Sequence, residues 1–182
     1  MDWIRLYISR NKQWKLLSIL LLVACPVFLH NCTISYKFNG ATINYDEIKT
    51  ISIQNFPNQA QLVYPELEAI FMDMLRNRYI QQTRLKLVDN NGDIHLEGEI
   101  VDYSIAPMAV QSDGFSSRTK LTITVRCRYM NRVRPNEDFE QTFSSFLDFD
   151  ANQLLTDVQN ELSQQITTEI ADMIFNATVA NW

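Results

Sequence analysis

The sequence predicts an α+β fold: a two-layer sandwich of a mainly antiparallel four- to five-stranded sheet with two amphipathic helices on one face. Two observations predict it. Apolar residues recur every three or four positions in two segments, 65–78 and 150–177. Between those segments, four stretches from 85 to 149 carry strand patterns and are separated by turn signals. Consecutive strands with short joins suggest an antiparallel meander, which two helices can cover on one side.

The elements follow in order. Ile51-Ser52-Ile53-Gln54 alternates as a strand and Phe56-Pro57-Asn58 ends it. Pro65 suits the first turn of a helix, with Glu66 and Glu68 near the positive end of its dipole. Leu67, Ile70, Phe71, Met74 and Arg78 share helical spacing, and Arg76 and Arg78 suit the helix C-terminus. Leu85, Leu87 and Val88 form a short strand, followed by the turn signal Asp89-Asn90-Asn91-Gly92-Asp93. Ile94 to Ile100 alternates again. The apolar set then continues at Val101, Tyr103 and Ile105, so the phase slips by one residue and a bulge near Ile100–Val101 is required.

Pro107 to Ser117 reads as a polar loop, and Leu121 to Tyr129 is the clearest strand in the chain. Cys127 shares its apolar face with Ile123 and Val125, as a small buried hydrophobe rather than a nucleophile. A loop from Asn131 to Asp138 leads to a strand over Phe139–Phe149. Asp150-Ala151-Asn152-Gln153 matches a capping box for the last helix. That helix lines up Leu154, Val158, Leu162, Ile166, Ile170, Met173, Ile174 and Ala177. Its other face is mostly uncharged: Asn152, Thr156, Gln159, Asn160, Gln164, Thr167 and Thr168.

The first 31 residues differ from the rest. Arg5, Arg10, Lys12 and Lys15 precede an apolar run from Leu16 to Ala24, a charged segment and then a hydrophobic one, as in an export signal. The run is short for a membrane span, which takes roughly 20 apolar residues. A cleaved signal is the first reading, and an interfacial helix or N-terminal anchor the other. Two cysteines could follow the signal as a lipidated N-terminus. Cys25, in Leu22-Val23-Ala24-Cys25, has small residues before the thiol but Pro26 after it. Cys32, in Leu29-His30-Asn31-Cys32, departs from the usual pattern at Asn31. One domain, 32–182, follows the proposed signal of 1–31.

Composition narrows the function. The chain has 182 residues and a formal net charge of −5. Without the four basic residues and Asp2 of the first 31, 12 basic side chains face 20 acidic ones, a net of −8. Such a balance disfavours a general nucleic-acid binder. Two histidines and three cysteines offer little for a metal site, and four scattered glycines cannot form a phosphate loop. No catalytic residue, metal or cofactor is expected. Glu97 and Glu99, i and i+2 on one strand face, resemble a carboxylate pair without a cleft around them. In a hairpin of 94–105 with 118–130, a register placing Leu96 opposite Cys127 sets Glu97 against Arg126, His95 against Arg128 and Glu99 against Thr124.

Arg118, Lys120, Arg126, Arg128, Arg132 and Arg134 supply half of those 12 basic residues within one short stretch. Two readings stand: a solvated, partly paired face, or a site for an anionic ligand.

Cys32-Thr33-Ile34-Ser35-Tyr36-Lys37-Phe38-Asn39-Gly40-Ala41 is distinctive, as are Lys49-Thr50-Ile51-Ser52-Ile53, Thr119 to Val125, Glu137 to Ser144 and Ile174 to Trp182. Together these segments resemble the LptE family, lipopolysaccharide-assembly lipoproteins of the Gram-negative outer membrane, over essentially all of 32–182. The resemblance implies a four-stranded sheet covered by two helices and a non-enzymatic role. It implies a plug inside an LptD-type β-barrel that helps assemble it and deliver lipopolysaccharide to the cell surface. It also implies lipopolysaccharide binding through basic residues, and it favours Cys32 over Cys25 as the lipidated residue anchoring the chain to the membrane. The uncharged face of the last helix suits a polar barrel lumen. The rival reading is a periplasm-facing lipoprotein that binds a small apolar or lipid ligand between sheet and helices, unrelated to a barrel.

Overall fold

The computed structural model describes residues 43–108 and 118–179. The signal segment, Cys25, Cys32, most of the loop after Pro107 and the last three residues lie outside them. The described chain forms β1 (Thr50–Ile53), α1 (Leu67–Gln82), β2 (Lys86–Leu87), β3 (Ile94–Pro107), β4 (Arg118–Asn131), a 3-10 turn (Pro135–Glu137), β5 (Phe139–Asp150) and α2 (Leu155–Thr178). The five strands make one mixed sheet in the order β2-β1-β3-β4-β5.

The expected α+β class holds, and the meander holds for three strands. β3, β4 and β5 are antiparallel neighbours in sequence order. The short strand after α1 does not join them. Instead β1 lies between β2 and β3 and runs parallel to both. A parallel pair needs a crossover, and α1 supplies it between β1 and β2.

The segment 88–93 is therefore not a hairpin turn. It links two parallel strands across β1. Gly92 passes so close that a Cβ there would sit 2.5 Å from the Ser52 nitrogen and 2.7 Å from the Ile51 carbonyl carbon. Asn91 takes φ of 58°, a left-handed conformation that asparagine tolerates. Pattern reading locates such glycines but does not say whether they serve a turn or a close approach.

The predicted bulge is present: the β3–β4 register shifts between Ile100 and Asp102. Beyond β1 the chain stays beside β3, with Gln54 N donating to Leu96 O, Ile100 N to Pro57 O and Gln59 N to Ile100 O. Phe56 falls in this stretch and is fully buried. Its ring meets Phe71 of α1 edge-on at 5.2 Å and packs over Gly98, where a side chain would block it.

The helices cover one sheet face. Leu96, Ile100, Ile123, Val125 and Cys127 from the sheet meet Leu67, Phe71 and Leu75 of α1 and Ile166, Ile170 and Ile174 of α2, all essentially inaccessible. Three details of the helices differ from the sequence expectation. α1 continues to Gln82, so Arg76 and Arg78 precede its last turn, and its buried stripe is Leu67, Phe71, Met72, Leu75 and Tyr79, flanked by Ile70 and Met74. The capping box is not formed. α2 starts at Leu155 without a side-chain cap, Leu154 is 69% exposed, and Asp150 Oδ1 instead accepts from Asn152 N at 2.8 Å. Thr167, expected on the polar face, is buried and donates to Ser163 O at 2.6 Å.

Candidate functional site

Among the described residues, no element covers the sheet face away from the helices. Strand alternation sends Leu121, Ile123, Val125 and Cys127 inward, so Lys120, Thr122, Thr124, Arg126 and Arg128 point outward. Arg118 continues that outward set. The expected facing of Glu97 and Glu99 is also observed, but their partners are not the expected ones. The β3–β4 register lies two residues from the sequence-based one, with Leu96 opposite Tyr129. Glu97 therefore faces Arg128, Glu99 faces Arg126, and His95 faces Met130. A two-residue shift preserves every facing, so the alternation pattern could not reveal it.

The six basic residues do not converge on one point. They divide into three groups along roughly 50 Å of strand and turn at about 3.4 Å per residue. At one end Arg118 pairs with Asp148, and the Lys120 ammonium lies over the Phe146 ring, 5.0 Å from its centroid. In the middle Arg126 Nη1 is 2.9 Å from Glu99 Oε1 and Arg128 Nη1 is 3.3 Å from Glu97 Oε1. At the other end Arg132 donates to Asn91 Oδ1 at 3.1 Å, and Arg134 bonds Glu47 at 2.9 Å with Glu137 at 3.5 Å. The hydrogen bond to Glu47 holds the Arg134 guanidinium above its ordinary pKa. Among the described residues, Lys120 and Arg132 make no ion pair with a carboxylate. The observed register and the loops bring Glu47, Glu99, Glu137 and Asp148 to the cluster beside Glu97.

The middle group lines an open groove of about 620 Å³ on the bare face, with His95, Glu97, Glu99 and Glu140 beside the two arginines. His95 does not face Arg128; it is partly buried and paired with Ser52 and Glu97. Its Nδ1 is 2.7 Å from Ser52 Oγ and its Nε2 is 3.6 Å from Glu97 Oε2. A serine, histidine and carboxylate in line invite comparison with a nucleophile relay. The chemistry fails at the serine. Ser52 is fully buried beneath the 88–93 link and its Oγ accepts from Gly92 N at 3.2 Å, so no substrate can reach it. Sequence reasoning missed this contact, because it depends on β1 lying beside β3. Cys127 is buried as expected, and burial pushes its thiol up to about 12, so it is no thiolate nucleophile.

No group of His, Cys, Asp or Glu among the described residues has the arrangement of a metal site. No described helix is long and apolar enough to cross a membrane.

The geometry defines an α+β domain with a packed core and an open, charge-patterned sheet face, without a reactive centre among the described residues. A profile of the LptE family, described as lipopolysaccharide-assembly, matches residues 48–178. The chain belongs to the LptE family, a non-enzymatic family of lipoproteins involved in lipopolysaccharide assembly. Membership implies an outer-membrane lipoprotein. No curated protein matches the chain. Among solved structures, it is similar to rare lipoprotein B from Shewanella oneidensis, at 17% identity over 71% of this chain and 92% of that one, with a TM-score of 0.41. It is also similar to lipoprotein B from Nitrosomonas europaea, at 18% identity over 70% and 79% of the two chains, TM-score 0.41. A minor lipoprotein from Acinetobacter baumannii shares 15% identity over 70% and 89%, TM-score 0.42. The assignment rests on the family match and not on these likenesses.

Proposed function

We propose that residues 1–31 are a cleaved export signal, that Cys32 is acylated, and that 32–182 form one domain that plugs and helps assemble an LptD-type barrel in the outer membrane. In that position the domain takes lipopolysaccharide phosphates on its open sheet face and assists their passage to the cell surface. The family match over 48–178 supports the lipopolysaccharide-assembly part of this reading. Two features of the molecule support it. Thr156, Asn160, Gln164, Gln165 and Thr168 are exposed along α2, a polar surface suited to a polar lumen. The layer between sheet and helices is filled by Phe56, Phe71, Leu75, Ile166 and Ile170, which speaks against an apolar ligand held there.

The arginines can engage phosphate through paired, charge-assisted hydrogen bonds. Arg126 and Arg128 stand about 6.5–7 Å apart along one face, with Lys120 further along it. The test is the triple variant Lys120→Gln, Arg126→Gln, Arg128→Gln, assayed for lipopolysaccharide binding at two salt concentrations with circular dichroism on the same sample. Weakened, salt-dependent binding with an unchanged fold is expected. Unchanged, salt-insensitive affinity would leave the cluster as a charge ladder. For the barrel, detergent extraction and mass spectrometry should recover a large β-barrel partner, and a stable monomer at native expression would count against the plug.

A further inference from the structure

The open face alternates its charges across the strands. One row runs Glu97, Arg128, Glu140 over β3, β4 and β5, and the next runs Glu99, Arg126, Thr142. Leaving His95 aside, the groove these rows line holds two guanidinium groups and three carboxylates. Arg126 and Arg128 already touch Glu99 and Glu97. Glu140 makes no ion pair among the described residues, although it lies directly opposite Arg128. A bare phosphate dianion would approach a net negative groove and meet Glu140 with nothing to offset it. A phosphate that carries its own cation would not.

Neighbouring strands are about 4.8 Å apart. An ammonium two carbons from a phosphate oxygen spans about that spacing. With its phosphate on Arg128, such a group sets its ammonium at Glu140, so each charge of the ligand meets its opposite. We infer that this groove recognises a phosphate bearing a nearby primary ammonium, phosphoethanolamine chemistry, in preference to a bare phosphate. The inference rests on the reading that Arg126 and Arg128 take phosphate, and it adds Glu140 as the residue that sets specificity.

The experiment uses the full-length lipoprotein in detergent. Its affinity is measured for three probes in phosphatidylcholine vesicles: lipid A with bare phosphates, lipid A carrying phosphoethanolamine, and phosphatidylethanolamine. The phosphoethanolamine form of lipid A is expected to bind about threefold more tightly than the bare form, the scale of one exposed ion pair. Glu140→Gln should abolish that difference, and Glu140→Lys should reverse it by tightening the bare form. Phosphatidylethanolamine binding as well as the modified lipid A supports the same chemistry with a phospholipid source, and failing to do so supports the glycolipid as source. Equal affinity for the two lipid A forms, or a preference that survives in Glu140→Gln, overturns the inference. If Arg126→Gln with Arg128→Gln weakens both forms while no preference exists, the inference fails and the phosphate reading stands. If that pair of changes weakens neither form, both fail.

Discussion

Asp93 and Thr50 hold each other through three hydrogen bonds. Thr50 N and Thr50 Oγ1 donate to Asp93 Oδ2 at 2.9 and 2.8 Å, and Asp93 N donates to Thr50 Oγ1 at 2.9 Å. Lys49 N donates to the same oxygen at 2.9 Å. The clip sits where parallel β1 and β3 begin, so it ties the end of the 88–93 link to the strand that link has just crossed.

These bonds predict a pH dependence. The Lys49 backbone N–H is the largest influence on the Asp93 carboxyl, partial burial opposes it, and Thr50 adds to it, leaving the pKa below its ordinary value. A depressed folded-state pKa means stability that is present above the unfolded value, near ~4, and lost as pH falls through the folded one. Asp93→Ala should cost about 1–2 kcal/mol at neutral pH. In urea melts of both proteins, the gap between native and variant should shrink as pH falls below ~4. A gap that stays constant to strongly acidic pH would contradict the clip.

Gly98 should not tolerate alanine. A Cβ there would collide with the Arg126 carbonyl oxygen and the Phe56 ring, whose Cδ1 would lie 2.9 Å away. Gly98→Ala is expected to destabilise by about 1–3 kcal/mol, the usual cost of overpacking. Adding Phe56→Leu to Gly98→Ala should cost less than Phe56→Leu costs alone in the native background, a coupling readable from a double-mutant cycle in thermal melts.

Core and open face should respond on different scales. Ile170 is fully inaccessible between α2 and the sheet, and Ile170→Ala should cost about 2–5 kcal/mol. The Arg126 side chain is 50% exposed in its pair with Glu99, so Arg126→Ala should cost no more than about 1 kcal/mol. Denaturant midpoints of the two variants would separate these. Equal losses would mean that the sheet face is covered in the isolated protein.

Lipidation at Cys32 predicts that Cys32→Ala releases the protein into the soluble fraction on cell fractionation. A single acyl chain binds membranes only marginally, whereas a triacylated cysteine is held. Release by Cys25→Ala alone would move the site to the earlier cysteine.

Much of the site was legible before the fold. Arg126, Arg128, Glu97 and Glu99 were placed on one outward face from alternation alone, and the bulge was placed from a break in that alternation. Glu140 and Ser52 were not found. Glu140 joins the groove only because β5 pairs with β4 in the observed register, and Ser52 reaches His95 only because β1 lies beside β3.

By itself the sequence determined where the main strands and helices lie and which way the side chains of β4 and the first half of β3 point, because period-two and period-3.6 patterns are local and a buried face enforces them. Its family-specific segments likewise sufficed to identify an LptE protein. Only the tertiary structure decided which strand neighbours which and who faces whom. A strand moved by two residues keeps every side chain on its own face, so Glu97 could meet Arg126 or Arg128 with the same alternation. The choice fell to contacts distant in sequence: Phe56 over Gly98, the bulge beyond Ile100, and Gly92 crossing β1 close enough to seat Asp93 on Thr50.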